Sequence, residues 1–220
     1  RASILRIQNH RRLCQLQFQP CSCQMSRKMP RLSEPGPLGM RAEHWYDFGS
    51  LAGNSDLFVQ VIAHIAAAAV PNSVLQYLRA GQITPLAKPT GGHRPLLMMS
   101  FLRRLALKSV MAAKKESVAK CAGPLQYGVG RPDGANTMIK TIQYLAEADN
   151  SRVLIALDLK AAFQNVSRRA MLHSIAQTDT DLAAVFSRWY TGTTEHRMHY
   201  DSAYTKITAN SGVDQGCPLS

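Results

Sequence analysis

Asp158 is the residue of this sequence whose neighbours most invite chemistry. In "RVLIALDLKAAFQNVSR" it follows the apolar run Val153-Leu154-Ile155-Ala156-Leu157 and precedes a second cluster, Ala161-Ala162-Phe163. An apolar run of that length between polar residues predicts a buried strand. A carboxylate at the end of such a strand loses solvation, which is costly without a partner. A hard cation such as Mg²⁺ would meet the need, using one or two carboxylates together with waters and substrate phosphates. A helix N-cap, or an ion pair to Lys160, Arg168 or Arg169, would meet it as well.

Other residues carry weaker chemical signals. Gly128, Gly130 and Gly134 suggest a dinucleotide loop, but the third glycine falls one residue late and no clear strand precedes them. An ordinary turn, or a loop lying close to a phosphate backbone, explains them better. Gln215-Gly216 sets an amide beside a residue without Cβ, a pairing suited to lying against a flat ligand. His10, Cys14, Cys21 and Cys23 lack the paired CxxC spacing of structural zinc sites. Ser167 and His173 are six residues apart, out of phase on a helix, so they offer no nucleophile–base pair. Asn165-Val166-Ser167 has the form of a glycosylation triplet. It is expected to stay unmodified in a reducing compartment.

The elements that must position these residues follow from the pattern. Residues 1–33 are basic and aperiodic, a leader expected to be mobile. "SEPGPLGMRAEHW" marks the entry to the folded body. An Ala-rich helical stretch runs from Asn54 to Arg79, interrupted at Pro71 and stopped at Gly81. "QITPLAK" and "RPLLMMS" read as short strands around the "PTGGH" turn. Ser100 is placed to cap a helix running to Lys120, on which Arg103, Arg104, Lys108, Lys114, Lys115 and Lys120 form a cationic, solvated or phosphate-facing surface. Helices are expected from about Asn136 to Ala148, Ser167 to Gln177 and Asp181 to Tyr190. Two strands, "EHRMHY" and "YTKITANSG", follow, joined at Asp201-Ser202. Mixed helices and strands with at least one hairpin indicate an α+β (mixed α/β) sheet with helices packed on it.

The totals bound the function. The chain has 220 residues, 45% hydrophobic and 18% charged, enough to bury a real core. Its net charge of +12 favours polyanionic partners, nucleic acid first. Five cysteines, odd in number and without disulfide-like spacing, point to a reducing, intracellular compartment, cytoplasm or nucleus. No apolar run approaches the ~20 residues of a membrane span, so no membrane partner is expected.

Five stretches, taken in order, resemble the reverse transcriptase domain of non-LTR (LINE-type) retrotransposons. They are "EPGPLGMRAEHW", "ITPLAKPTGGHRPLLM", "LQYGVGRPDGANTMIKTIQ", "VLIALDLKAAFQNVSRRAML" and "SGVDQGCPLS", collinear from Glu34 to Ser220. The resemblance implies a right-hand polymerase architecture: a leader over 1–33, a fingers-like region over 34–150 and a partial palm over 151–220, with an incomplete palm sheet. It implies that Asp158 and the carbonyl of Leu159 bind catalytic Mg²⁺. It makes Phe163 the bulky group that disfavours a ribose 2′-hydroxyl. Lys88 and Arg94 become the cations holding the incoming triphosphate, and Gln215 and Gly216 the residues against the nascent base pair. Gln126 and Arg131 fall near the template, and Arg103, Arg104 and Lys108 along a nucleic-acid backbone.

The implied activity is transfer of nucleotides from dNTPs to a DNA primer on an RNA template. The family's next motif, an adjacent Asp-Asp pair completing the metal site, does not occur in this sequence. A non-catalytic nucleic-acid-binding remnant is therefore the alternative expectation.

Overall fold

A computed structural model describes residues 35–50, 54–200 and 203–220. The leader, the His10–Cys23 group and the Asp201-Ser202 turn lie outside the described residues. Helices α1 (Ala42–Ser50), α2 (Asn54–Ala66) and α3 (Asn72–Arg79) come first among the described residues and lead into the hairpin β1 (Gly81–Ala87) and β2 (His93–Met99). Helices α4 (Phe101–Ala113), α5 (Lys115–Ala122), α6 (Gly134–Ala148), α7 (Ala162–Asn165), α8 (Arg168–Thr178) and α9 (Thr180–Tyr190) follow, and β3 (Thr194–Tyr200) and β4 (Ala203–Ala209) make a second hairpin. The architecture is mixed α/β, and every strand expected from the sequence, apart from the one before Asp158, is present.

The sheet runs in the order β2-β1-β3-β4. Both hairpins are antiparallel, while β1 and β3 pair in parallel through Gln82↔Arg197 and Ile83↔Met198. Parallel neighbours need a long crossover, and the whole helical sequence from Phe101 to Tyr190 supplies it. The core lies between α2, α4 and α9, where Ile62, Leu105, Leu107, Val185 and Trp189 are fully buried.

Helix ends are fixed where short polar side chains stop them. Ser100 accepts from Arg103 N, Ser167 from Ala170 N, and Asp179 from Leu182 N. Each satisfies an amide that the first turn leaves without a partner. Asp179 also takes Lys114 Nζ at 2.9 Å, which joins the α4–α5 break to the start of α9. The single helix expected from Ser100 to Lys120 is thus two helices meeting at Lys114.

Two expectations are corrected. Val153–Leu157 is not a buried strand: the segment is irregular, and Val153, Leu154, Ile155 and Leu157 are 72–89% exposed. An apolar run becomes a strand only where a neighbouring strand takes its backbone groups. None of the four strands pairs with this one. Asp158 is therefore exposed, and the desolvation that seemed to call for a cation is absent. Second, Arg103 is not a surface cation. Its side chain is fully buried, on the same helix face as Leu107 and Val110.

Candidate functional site: a cavity on the sheet face

The clearest concavity lies on one face of the sheet. It encloses about 630 Å³, with an apolar floor of Ile83, Leu97, Met198 and Ile207 and polar groups at Gln164, His196, Asp214 and Gln215. Ligand cavities are typically about 300–1,000 Å³, mostly apolar with a few fixed polar groups. Strand alternation builds the floor, because Ile83, Pro85, His93, Pro95 and Leu97 all fall on the same side of the β1–β2 ladder.

The wall is the chain after β4. Val213 N donates to Phe163 O at 2.7 Å and Gly212 N to Val166 O at 3.2 Å, so this loop lies on the α7 turn. Gly212 has φ +66°, and a Cβ there would strike the carbonyls of Phe163 and Gln164. Only glycine permits that approach. The loop then docks on the sheet, with Leu97 N donating to Gln215 O at 2.9 Å. Arg168 fixes it from outside by donating to Gly212 O at 2.7 Å and Ser211 O at 3.1 Å.

Asp214 anchors the loop from within. Its carboxylate meets Arg103 at 2.6 Å and His196 Nε2 at 3.3 Å. Burial pushes this carboxyl's pKa up. The hydrogen bond from His196 and the Arg103 charge outweigh burial and hold the pKa at about 2. Arg103 also donates to Arg79 O at 2.7 Å and lies 5.3 Å over the Trp189 ring. Burial lowers its pKa, but nearby Cys217, Asp214 and Tyr190 raise it further. Burial is the main reason the Tyr190 hydroxyl resists ionisation, with Cys217 and Asp214 adding to the effect.

The residues singled out in the sequence are only partly brought together. Gln215 lines the cavity, and Gly216, at φ +101°, lies against Leu96 beside it. Phe163 reaches the site through its carbonyl, while its neighbour Gln164 lines the cavity. Lys88 and Arg94 are exposed near the β1–β2 hairpin tip. Arg94 falls between the cavity-lining His93 and Pro95, which places it on the opposite sheet face. Asp158 and Leu159 are exposed and do not line the cavity.

Arg104 and Lys108 are half-buried along α4, and burial lowers the pKa of Arg104. Gln126 and Arg131 serve their own glycine loop. Gln126 Oε1 accepts from Gly128 N at 2.7 Å, and Arg131 donates to Pro124 O and stacks 5.0 Å from the Tyr127 ring.

Asp158 and Leu159, the residues that the resemblance offers to magnesium, are both exposed. No three His, Cys, Asp or Glu side chains gather as a metal site among the described residues. Magnesium held through one carboxylate would depend on substrate phosphates for the rest of its shell.

What this site offers is binding. Gln164 and Gln215 line the cavity beside its apolar floor, a combination suited to a flat heterocycle that stacks on carbon and hydrogen-bonds at its edges. Sequence reasoning missed His196 and Asp214 and read Arg103 as a nucleic-acid contact rather than the buried partner of Asp214, although Asp214 sits inside "SGVDQGC" and Arg103 is in helical phase with Leu107. No protein-family model matches this chain, and no curated protein matches it.

Proposed function

We propose that this chain is the fingers and part of the palm of a reverse-transcriptase-type RNA-directed DNA polymerase, and that the sheet cavity receives the base of an incoming dNTP paired with the template. The observation that carries the reading is the junction of two distant sequence pieces. The "LKAAFQN" turn and the "SGVDQG" loop meet through the Val213–Phe163 hydrogen bond, and both contribute an amide, Gln164 and Gln215, to one cavity. The five ordered motifs and the positive charge point the same way.

The test is dNTP binding by the full chain in the presence of an RNA template and DNA primer, with primer extension measured in Mg²⁺. Gln215→Ala is expected to weaken dNTP retention about 10-fold, the loss of one or two hydrogen bonds. Extension abolished by Asp158→Ala supports the catalytic reading. An unchanged dNTP affinity in Gln215→Ala would overturn the assignment of the cavity.

A second reading is favoured by one observation, the exposure of Asp158 on a segment that belongs to no strand of the sheet. On this reading the chain binds nucleic acid without chemistry. Salt-sensitive RNA binding with no template-copied extension is its signature.

A further inference from the structure

Away from the sheet cavity, α3 and α9 face each other across a smaller groove of about 290 Å³. Asn72, Gln76 and Arg79 form one stripe of α3, and Ser187 and Arg188 of α9, with Thr191 at its C-terminal cap, line the other side. Every polar group there is neutral or cationic; no carboxylate lines the groove.

The two guanidinium groups are held in place by backbone carbonyls. Arg79 donates to Thr191 O, and Arg188 donates to Ala68 O at 3.1 Å. A neutral carbonyl orients a guanidinium without cancelling its charge. Among the described residues, neither arginine forms an ion pair. Arg79 is only 8% exposed, yet its Nε, like that of Arg188, is buried without an acceptor. An unmet buried donor costs roughly 1–3 kcal/mol, more when charged. Burial lowers the pKa of Arg79, and the charges of Arg168, Arg103 and Arg188 lower it further, opposed by Asp214. Three arginines thus act on Arg79 against one carboxylate, Asp214.

The groove does not end there. It shares Thr191 with a second concavity holding Arg168 and Arg169. It shares Gln76 and Arg79 with a third that holds Arg197 and Lys206. Glu195, in that third concavity, is already matched by Lys206 at 3.2 Å. Cations therefore follow one another around the Thr191–Thr193 turn.

We propose that the α3–α9 groove is a phosphate-binding site, with Arg79 and Arg188 as its oriented donors. A planar guanidinium suits phosphoryl oxygens, and a succession of cations suits successive phosphates of a nucleic-acid backbone. The site is separate from the sheet cavity and does not depend on the polymerase reading.

The experiment uses the full chain and substitutes Gln76, which is exposed at the groove rim. Gln76→Glu places a carboxylate against the guanidinium groups while leaving both arginines intact; Gln76→Lys does the reverse. Thermal unfolding is followed with inorganic phosphate replacing chloride at constant ionic strength, and RNA affinity with a labelled single strand. The wild type is expected to show a saturable rise in midpoint with phosphate. Gln76→Glu is expected to lose that rise, and Gln76→Lys to keep it. Gln177→Glu, the same charge change at an exposed position on α8, keeps it too.

If the ligand is a backbone, Gln76→Glu also lowers the salt dependence of RNA binding by about 0.7, the value of one single-strand phosphate contact. If RNA binding is unaffected while the phosphate response disappears, the site takes a free phosphoryl group. Gln215→Ala, in the sheet cavity, leaves the phosphate response intact, so the two assignments fail independently. A wild type without a phosphate-specific rise, or a Gln76→Glu variant that retains it in full, overturns the proposal.

Discussion

Asp214 does more for the site than any residue that the sequence made prominent. Its carboxylate ties α4, through Arg103, to β3, through His196, and so fixes the loop that carries Gln215. Asp214→Ala leaves the fully buried Arg103 guanidinium without its counter-charge. Losing one partner of a buried pair costs about 3–5 kcal/mol, and a fall in urea midpoint at unchanged slope would register it. The pH dependence follows from the same contacts. The Asp214 pKa is held at about 2 in the folded chain against an ordinary 3.8. The folded state therefore prefers the ionised form. That preference contributes about 2 kcal/mol at neutral pH, is fully present above pH about 4, and is lost as pH falls toward 2. Asp214→Asn is expected to flatten this limb of stability against pH, measured by denaturant unfolding at each pH. An unflattened limb would mean that other carboxylates carry it.

At the scale of elements, local signals were legible and pairing was not. Ser100 announced a helix start and caps one, because a cap needs only its own first turn. "PTGGH" announced a hairpin, and Lys88 N and Gly92 O close it at 3.0 Å. Val153–Leu157 announced a strand just as clearly. A strand, however, is a property of two segments, and the second is not written in the first. Arg103 misled for a related reason: a charged residue on a helix is normally solvated, and only the distant Asp214 makes its burial tolerable. The meeting of "LKAAFQN" with "SGVDQG" could not be read from the periodicity of either piece. The exposed run supplies a direct test. Leu154→Lys with Leu157→Lys removes two side chains that are 72% and 89% exposed. Exposed positions tolerate such changes within about 0.5 kcal/mol. The double variant should unfold at the wild-type denaturant midpoint, with less self-association by light scattering, since long exposed apolar segments invite pairing between chains. A loss of several kcal/mol would show that the run is buried in solution.

For the molecule as a whole, the charge of +12 overstates what a polyanion can use. Seven cations precede Glu34, so residues 1–34 carry half of the excess and residues 35–220 the other half. Within the body some cations are already spent on structure. Arg103 is locked to Asp214, and Lys114 lies 2.9 Å from Asp179, with side-chain exposures of 15% and 10%. Burial raises the Asp179 pKa, but the hydrogen bonds from Lys114 and from Leu182 N outweigh it and leave it lowered, as expected for a settled pair. Lys115 and Lys120 stand exposed on the neighbouring α5. Counterion release counts only cations that meet phosphates, about 0.7 in the logarithmic salt slope per single-strand contact. With RNA as ligand, Lys115→Gln and Lys120→Gln should each lower the slope by about that amount at unchanged thermal stability. Lys114→Gln should do the opposite, keeping the slope and losing about 1–3 kcal/mol, because it strips the partner from the carboxylate that caps α9. Equal slopes for all three variants would mean that RNA senses only net charge. A fallen slope for Lys114→Gln would mean that its bond to Asp179 opens when RNA binds.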